Sequence, residues 1–169
     1  METFIGTLHK DTVFRKIERY LRNHQIEVES KDKTRPWGGF LVIKYSSLQK
    51  FAAHFFPELD INQYSGLKLS PKILVVKPGQ RLSWQYHNRR SEVWTIASGE
   101  IGMVISEDDQ ITPLQIFNAG EKISIKQGMR HRAEGIDNWG IIAEIWQHTN
   151  PGNPSDEDDI VRVQDDYGR

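Results

Sequence analysis

Lys77-Pro-Gly-Gln-Arg-Leu-Ser-Trp-Gln-Tyr-His-Asn-Arg-Arg-Ser-Glu-Val-Trp-Thr-Ile-Ala-Ser-Gly99 is the most informative stretch of this 169-residue chain. Pro78-Gly79 marks a turn. Arg81 to His87 then alternates, with Leu82, Trp84 and Tyr86 on one face and Ser83, Gln85 and His87 on the other. Gln85 and His87 stand two apart on a strand, so their tips aim the same way. Glu92 opens a second apolar strand that runs to Ala97, and Gly99 closes it. Pairing of these strands across the Asn88-Arg89-Arg90-Ser91 turn brings Glu92 back beside His87. An amide oxygen, an imidazole and a carboxylate then converge as an N/O ligand set for a divalent metal. A further ligand has to come from another strand. The best candidate is His131, which follows the Lys126-Gln127-Gly128 turn.

Outward from this stretch, the pattern from Pro71 onward is one of short apolar runs separated by turn residues. The runs are 72–76, 81–87, 92–97, 101–105, 111–116, 122–125, 129–133 and 141–147. Many short strands at such spacing predict an all-β sandwich or barrel. No long helical pattern interrupts them, which argues against a βαβ fold. Upstream, Asp11 or Thr12 can cap a helix to about Asn23, with Phe14, Ile17 and Leu21 on one face. Its basic residues read as a solvated outer face. A short strand at Ile26–Glu29, a strand entered through Arg35-Pro36-Trp37-Gly38-Gly39, and a second helix from about Ser46 follow. Residues 1–60 therefore read as an N-terminal helical extension packed on a barrel formed by 61–169, in one compact domain. The tail from Asn150 is rich in Pro, Gly and Asp. Asp158, Asp159, Asp165 and Asp166 read as solvated carboxylates, and His9, His24 and His148 as surface residues.

A chain of this length buries a core unaided. With no cysteine there is neither a disulfide framework nor a thiol nucleophile. A net charge of −1 exerts no global pull on nucleic acid or anionic membrane. No stretch resembles a signal peptide or a bilayer span. These features predict a cytoplasmic protein.

The spacing Gln85-x-His87, then Glu92, then His131 after a glycine turn resembles the metal pattern of the cupins, with Gln85 in the first histidine position. The flanking Lys-Pro-Gly-Gln-Arg-Leu-Ser and Arg-Ser-Glu-x-Trp, and the tail from Glu157 to Arg169, narrow the resemblance to the cupin domain of type II mannose-6-phosphate isomerases. It covers roughly Arg35 to Arg169. The resemblance implies a cupin (jelly-roll) barrel with an ordered tail lying against it. It implies a divalent metal held by Gln85, His87, Glu92 and His131, zinc first, with manganese, iron or cobalt compatible. It also implies a sugar-phosphate substrate, aldose–ketose isomerisation, and the pairing of barrels as homodimers.

This chain departs from the usual relative at Asn88, Arg89, Val93 and Lys126, where histidines or a proline are usual, so the rim of the site is its own. Arg81, Arg89 and Arg90 are candidates for binding phosphate, and Trp37 for covering a sugar ring. Glu92, Lys72 and Arg132 are the candidate catalytic residues. For the general base, Glu144, Asp166 and Tyr167 stand beside Lys72. The alternative to an isomerase is a non-catalytic cupin that binds a sugar or sugar nucleotide.

Overall fold

In the computed structural model, which describes residues 1–168, two antiparallel sheets face each other and two helices cover one of them. Helix α1 (Lys10–Asn23) is capped by His9, whose Nδ1 accepts from the Asp11 amide at 3.3 Å. The cap therefore lies just upstream of Asp11 and Thr12. Val13, Phe14, Ile17 and Leu21 form its buried face. Strands β1 (Val28–Asp32) and β2 (Gly38–Ile43) lead to α2 (Leu48–Phe55). Then come β3 (Leu69–Val76), β4 (Trp84–His87), β5 (Arg90–Ser98), β6 (Glu100–Ser106), β7 (Gln115–Asn118) and β8 (Lys122–Ile125). The last three strands are β9 (Arg130–Gly135), β10 (Gly140–His148) and β11 (Ile160–Gln164). The larger sheet has the order β1-β2-β3-β10-β5-β8 and the smaller one β11-β4-β9-β6-β7.

The central strands β3 and β10 of the larger sheet are buried on both faces, which is why they read as nearly continuous apolar runs. Ile73 and Val75 of β3, with Ile141, Ala143 and Ile145 of β10, pack against α1 and α2. Their neighbours Leu74, Val76 and Ile142 turn the other way, into the barrel, and meet Trp94, Ile96, Met103 and Ala133 from both sheets. The same alternation sends Lys72, Glu144 and Trp146 into the barrel.

Gly38 is required where β2 starts. Its φ is +140°, and a Cβ there would lie 1.8 Å from the Val75 carbonyl oxygen. Only glycine lets the strand come this close to β3.

The helix layer gives a first testable outcome. Ile17 is fully buried against the sheet, whereas Arg19 is exposed. Ile17→Val is expected to cost about 0.5–1.5 kcal/mol in a urea melt, and Arg19→Ala less than about 0.5 kcal/mol. Equal effects would mean that α1 does not dock through this face.

The two strands of the opening stretch do not pair with each other. β4 pairs with β9 and β11, and β5 with β10 and β8, so the chain crosses from one sheet to the other between His87 and Arg90. A hairpin would satisfy the turn amides by backbone pairing. Here the Asp159 carboxylate accepts from the Asn88 and Arg89 amides instead, at 3.2 and 3.0 Å. Glu92 still meets His87, but across the barrel rather than along a ladder.

Candidate metal centre and cavity

Two rows of inward side chains build the site. On the larger sheet, Lys72, Glu144 and Trp94 are register partners across β3, β10 and β5, and Trp146 and Glu92 form the next row. On the smaller sheet Arg162, Gln85 and His131 align across β11, β4 and β9. The barrel closes these rows onto one another.

His87, Glu92 and His131 converge. Their ligand atoms lie within 4.8 Å of one another, and all three residues are buried. His87 Nε2 is 3.3 Å from Glu92 Oε1, and His131 Nε2 is 3.5 Å from Glu92 Oε2. His131 Nδ1 lies 3.0 Å from the Met129 carbonyl oxygen, while its buried Nε2 has no hydrogen-bond partner among the described residues. A ring that donates from Nδ1 to a carbonyl presents a bare Nε2 lone pair, the arrangement that orients a metal-ligating histidine. Burial pushes both imidazoles down, His87 to about 3. Both are therefore neutral at pH 7, as ligands must be. Burial pushes the Glu92 carboxyl up, but the cluster around it, including the Arg90 charge and hydrogen bond, holds it below the ordinary range and ionised. The donor set fits a divalent metal.

Two features distinguish it from the expected four-ligand set. Gln85 does share the inner face, but its Oε1 accepts from Ser83 Oγ at 2.5 Å. Arg90, buried at 2% exposure, donates from Nε to Glu92 Oε1 at 2.7 Å and from Nη2 to His87 Nε2 at 3.0 Å. Its Nη1 donates to Ser155 Oγ and to the Asp156 carbonyl, and the guanidinium stacks 3.5 Å over the Trp146 ring. A cation of the chain's own thus already neutralises the buried carboxylate.

A cavity that opens to solvent lies beside this cluster. Trp37, Lys72, Trp94, Glu144, Trp146 and Arg162 are among its walls, together with Arg35 and Glu157. Trp94 Nε1 lies 3.1 Å from both Glu92 Oε2 and Glu144 Oε1 and so bridges the two carboxyls. Burial, and then the Glu92 charge, push the Glu144 carboxyl up to about 8.

The basic rim is placed differently from the sequence reading. Arg81 is bound by Asp166 at 2.6 Å. Arg89 is bound by Asp156 and Asp159, at 2.9 and 3.3 Å. Arg132 is buried beside His131 but donates to Gln164 and does not line the cavity. The tail acids are therefore not simply solvated. Asp159 is 5% exposed, because the turn between β4 and β5 supplies donors that replace its water. His148 is likewise interior, 1% exposed and 2.8 Å from Ser70 Oγ, because β10 ends beneath the tail. Trp146, Ser155 and Arg162 are not among the candidates from the sequence, and Asp159 reads there as solvated. The one available signal was charge complementarity between Arg89-Arg90 and the acids at 156–159.

Two facing antiparallel sheets with a histidine–carboxylate cluster between them define a cupin barrel. Solved structures agree on the fold. A point mutant of Bacillus subtilis oxalate decarboxylase OxdC aligns with a TM-score of 0.57 at 11% identity, over 79% of this chain and 30% of that one. KdgF from Halomonas sp. aligns with a TM-score of 0.51 at 8% identity, over 77% and 92%. Within that class, residues 59–165 match the family Mannose-6-phosphate isomerase C-terminal, and the chain belongs to it. Its relatives include mannose-1-phosphate guanylyltransferase of Salmonella montevideo, 30% identical over 149 residues, and xanthan biosynthesis protein XanB of Xanthomonas campestris, 32% identical over 135. These matches take in 88% and 80% of this chain but only 26% and 23% of the relatives. No helix is long and apolar enough to cross a membrane.

Proposed function

We propose that this domain is a metal-dependent aldose–ketose isomerase of sugar phosphates. The observation that carries the reading is a buried His87–Glu92–His131 donor set whose Glu92 lines a cavity that also holds a protonatable carboxyl, Glu144. His87, Glu92 and His131 would hold the metal, with Gln85 able to join by releasing Ser83. The metal would supply Lewis-acid polarisation of the sugar oxygens. Zinc is the first expectation for such an N/O set.

The chain's own residues do the rest. Isomerisation removes the proton from C2 of the aldose while the C1 oxygen gains one, giving an enediol. Returning a proton to C1 while the C2 hydroxyl loses its own gives the ketose. A group that gives and takes protons near neutrality serves both halves. Glu144 fits this role by its place in the cavity wall and its raised pKa. Trp94 fixes one of its oxygens. Trp37 lines the same wall, where it can cover a sugar ring. A sugar phosphate is the small-molecule partner that this family and its relatives point to.

The guanylyltransferase name belongs to proteins of which this chain spans about a quarter, and no nucleotidyl transfer is assigned to it. Metal-replete protein offered mannose 6-phosphate is expected to release fructose 6-phosphate in a coupled assay. Glu144→Gln should lower kcat by about 10²–10⁴-fold, with KM nearly unchanged. Absence of turnover with every hexose phosphate tried would remove the isomerase reading.

One observation favours a second reading. Arg90 already supplies positive charge to His87 and Glu92. The domain is then a non-catalytic cupin that binds the sugar phosphate. A melting shift with ligand but no turnover distinguishes the two.

A further inference from the structure

The cations that a sequence reading assigns to phosphate are held by the tail, yet the cavity keeps others. Arg162 sits on β11 as the register partner of Gln85, so its side chain enters the cavity from the smaller sheet. Its buried Nε has no hydrogen-bond partner, and the guanidinium makes no ion pair among the described residues. Lys72 enters from the larger sheet, 7% exposed, with its ammonium 3.4 Å over the Trp146 ring. Arg35 comes from the loop before β2 and lies 2.8 Å from Asp32 Oδ2, which fixes it at the wall.

Three carboxyls share the cavity with them. Glu92 is engaged by Arg90, and Glu144 accepts from the Trp94 indole at 3.1 Å. The third, Glu157, bonds Lys72 at 2.5 Å, with its side chain 52% exposed at the mouth. Positive charge from three separate elements therefore meets two carboxylates, Asp32 on Arg35 and the half-solvated Glu157 on Lys72, and Arg162 makes no ion pair among the described residues.

We propose that Arg162, Lys72 and Arg35 form a subsite for the phosphate of a sugar phosphate, and that Glu157 is the resident anion which that phosphate displaces from Lys72. Resting on the sugar-phosphate reading above, the subsite gives it polarity: the phosphate lies at the tail side of the cavity and the sugar points toward Glu144 and Glu92. A phosphate dianion suits two guanidinium forks and an ammonium better than one carboxylate does. Burial of the Lys72–Glu157 pair is one-sided, so the exchange exposes a carboxylate already half in water.

The test uses the full chain with its metal and titrates mannose 6-phosphate, inorganic phosphate and mannose by calorimetry. Arg162→Met is expected to weaken mannose 6-phosphate and inorganic phosphate at least tenfold. Glu157→Gln is expected to tighten both several-fold. Mannose binding and metal content should change in neither. Unchanged phosphate affinity in both variants overturns the subsite, as does a loss of equal size for mannose. The same variants separate it from the isomerase reading. Phosphate binding lost in Arg162→Met without any turnover in the wild type keeps the subsite and removes the isomerase. Turnover with an unchanged KM in Arg162→Met does the reverse.

Discussion

Glu92→Gln is expected to lose bound divalent metal and to destabilise the protein by about 3–5 kcal/mol, the usual effect of removing one partner from a buried ion pair. Glu92 and Arg90 are each 2% exposed and 2.7 Å apart. The carboxylate also accepts from Trp94 and lies against both histidines. A neutral amide leaves the Arg90 charge buried with only dipoles around it, and it removes the one anionic ligand. Elemental analysis and a urea melt read the two effects separately. Arg90→Met provides the complementary outcome. It leaves the carboxylate uncompensated, so the metal-free variant is also destabilised. Added zinc can then neutralise Glu92, and the rise in melting temperature with zinc should exceed that of the wild type. Glu92→Gln with unchanged metal content would show that the histidine–carboxylate cluster is not the metal site.

The different fates of the sequence expectations follow from the range of the interactions involved. The barrel was legible because strand periodicity and glycine turns are local. Ile123, Ile125, Ile141 and Ile142 declare their strands from a few residues' context. His87, Glu92 and His131 were legible because a family pattern marks them. The geometry inferred for them was not, since pairing β4 with β5 treats nearness in sequence as nearness in a ladder. In a jelly roll the adjacent strand is often one from the far end of the chain, and β4 indeed takes β11, about 75 residues on, as a neighbour. The rim failed for a related reason. A row of arginines in a turn shows no sign of what neutralises it, and the partners of Arg81 and Arg89 lie 85 and 67–70 positions away. Gln85 is an intermediate case. Its face was read from the two-residue period, but the Ser83 hydroxyl that holds its oxygen depends on rotamers rather than on pattern.

The second large effect is expected from Asp159, the residue that makes the tail part of the site. Its carboxylate accepts from the Asn88 and Arg89 amides, from Arg89 Nε at 3.3 Å and from Ser155 Oγ at 2.7 Å. Ser155 in turn accepts from Arg90, so the chain of contacts runs from the tail to Glu92. Asp159→Ala strands two backbone amides and loosens the β4–β5 crossing. A cost of about 2–4 kcal/mol follows from losing several bonds to one charged group. Hydrogen exchange at Asn88 and Arg89 should rise with it, whereas Asp158→Ala, at an exposed neighbour, should change little. The pH dependence has a definite sign. Burial raises the Asp159 pKa, but the hydrogen bonds from Ser155, Arg89 and Asn88 outweigh it, so the folded value lies below the ordinary one. Its stabilisation is complete above the unfolded pKa of about 4 and is lost as pH falls through the lower folded value. Asp159→Asn, neutral at every pH, should therefore show a smaller loss of stability below about pH 4 than the wild type. If the two acid limbs run parallel, Asp159 is not the group that ties the tail to the turn.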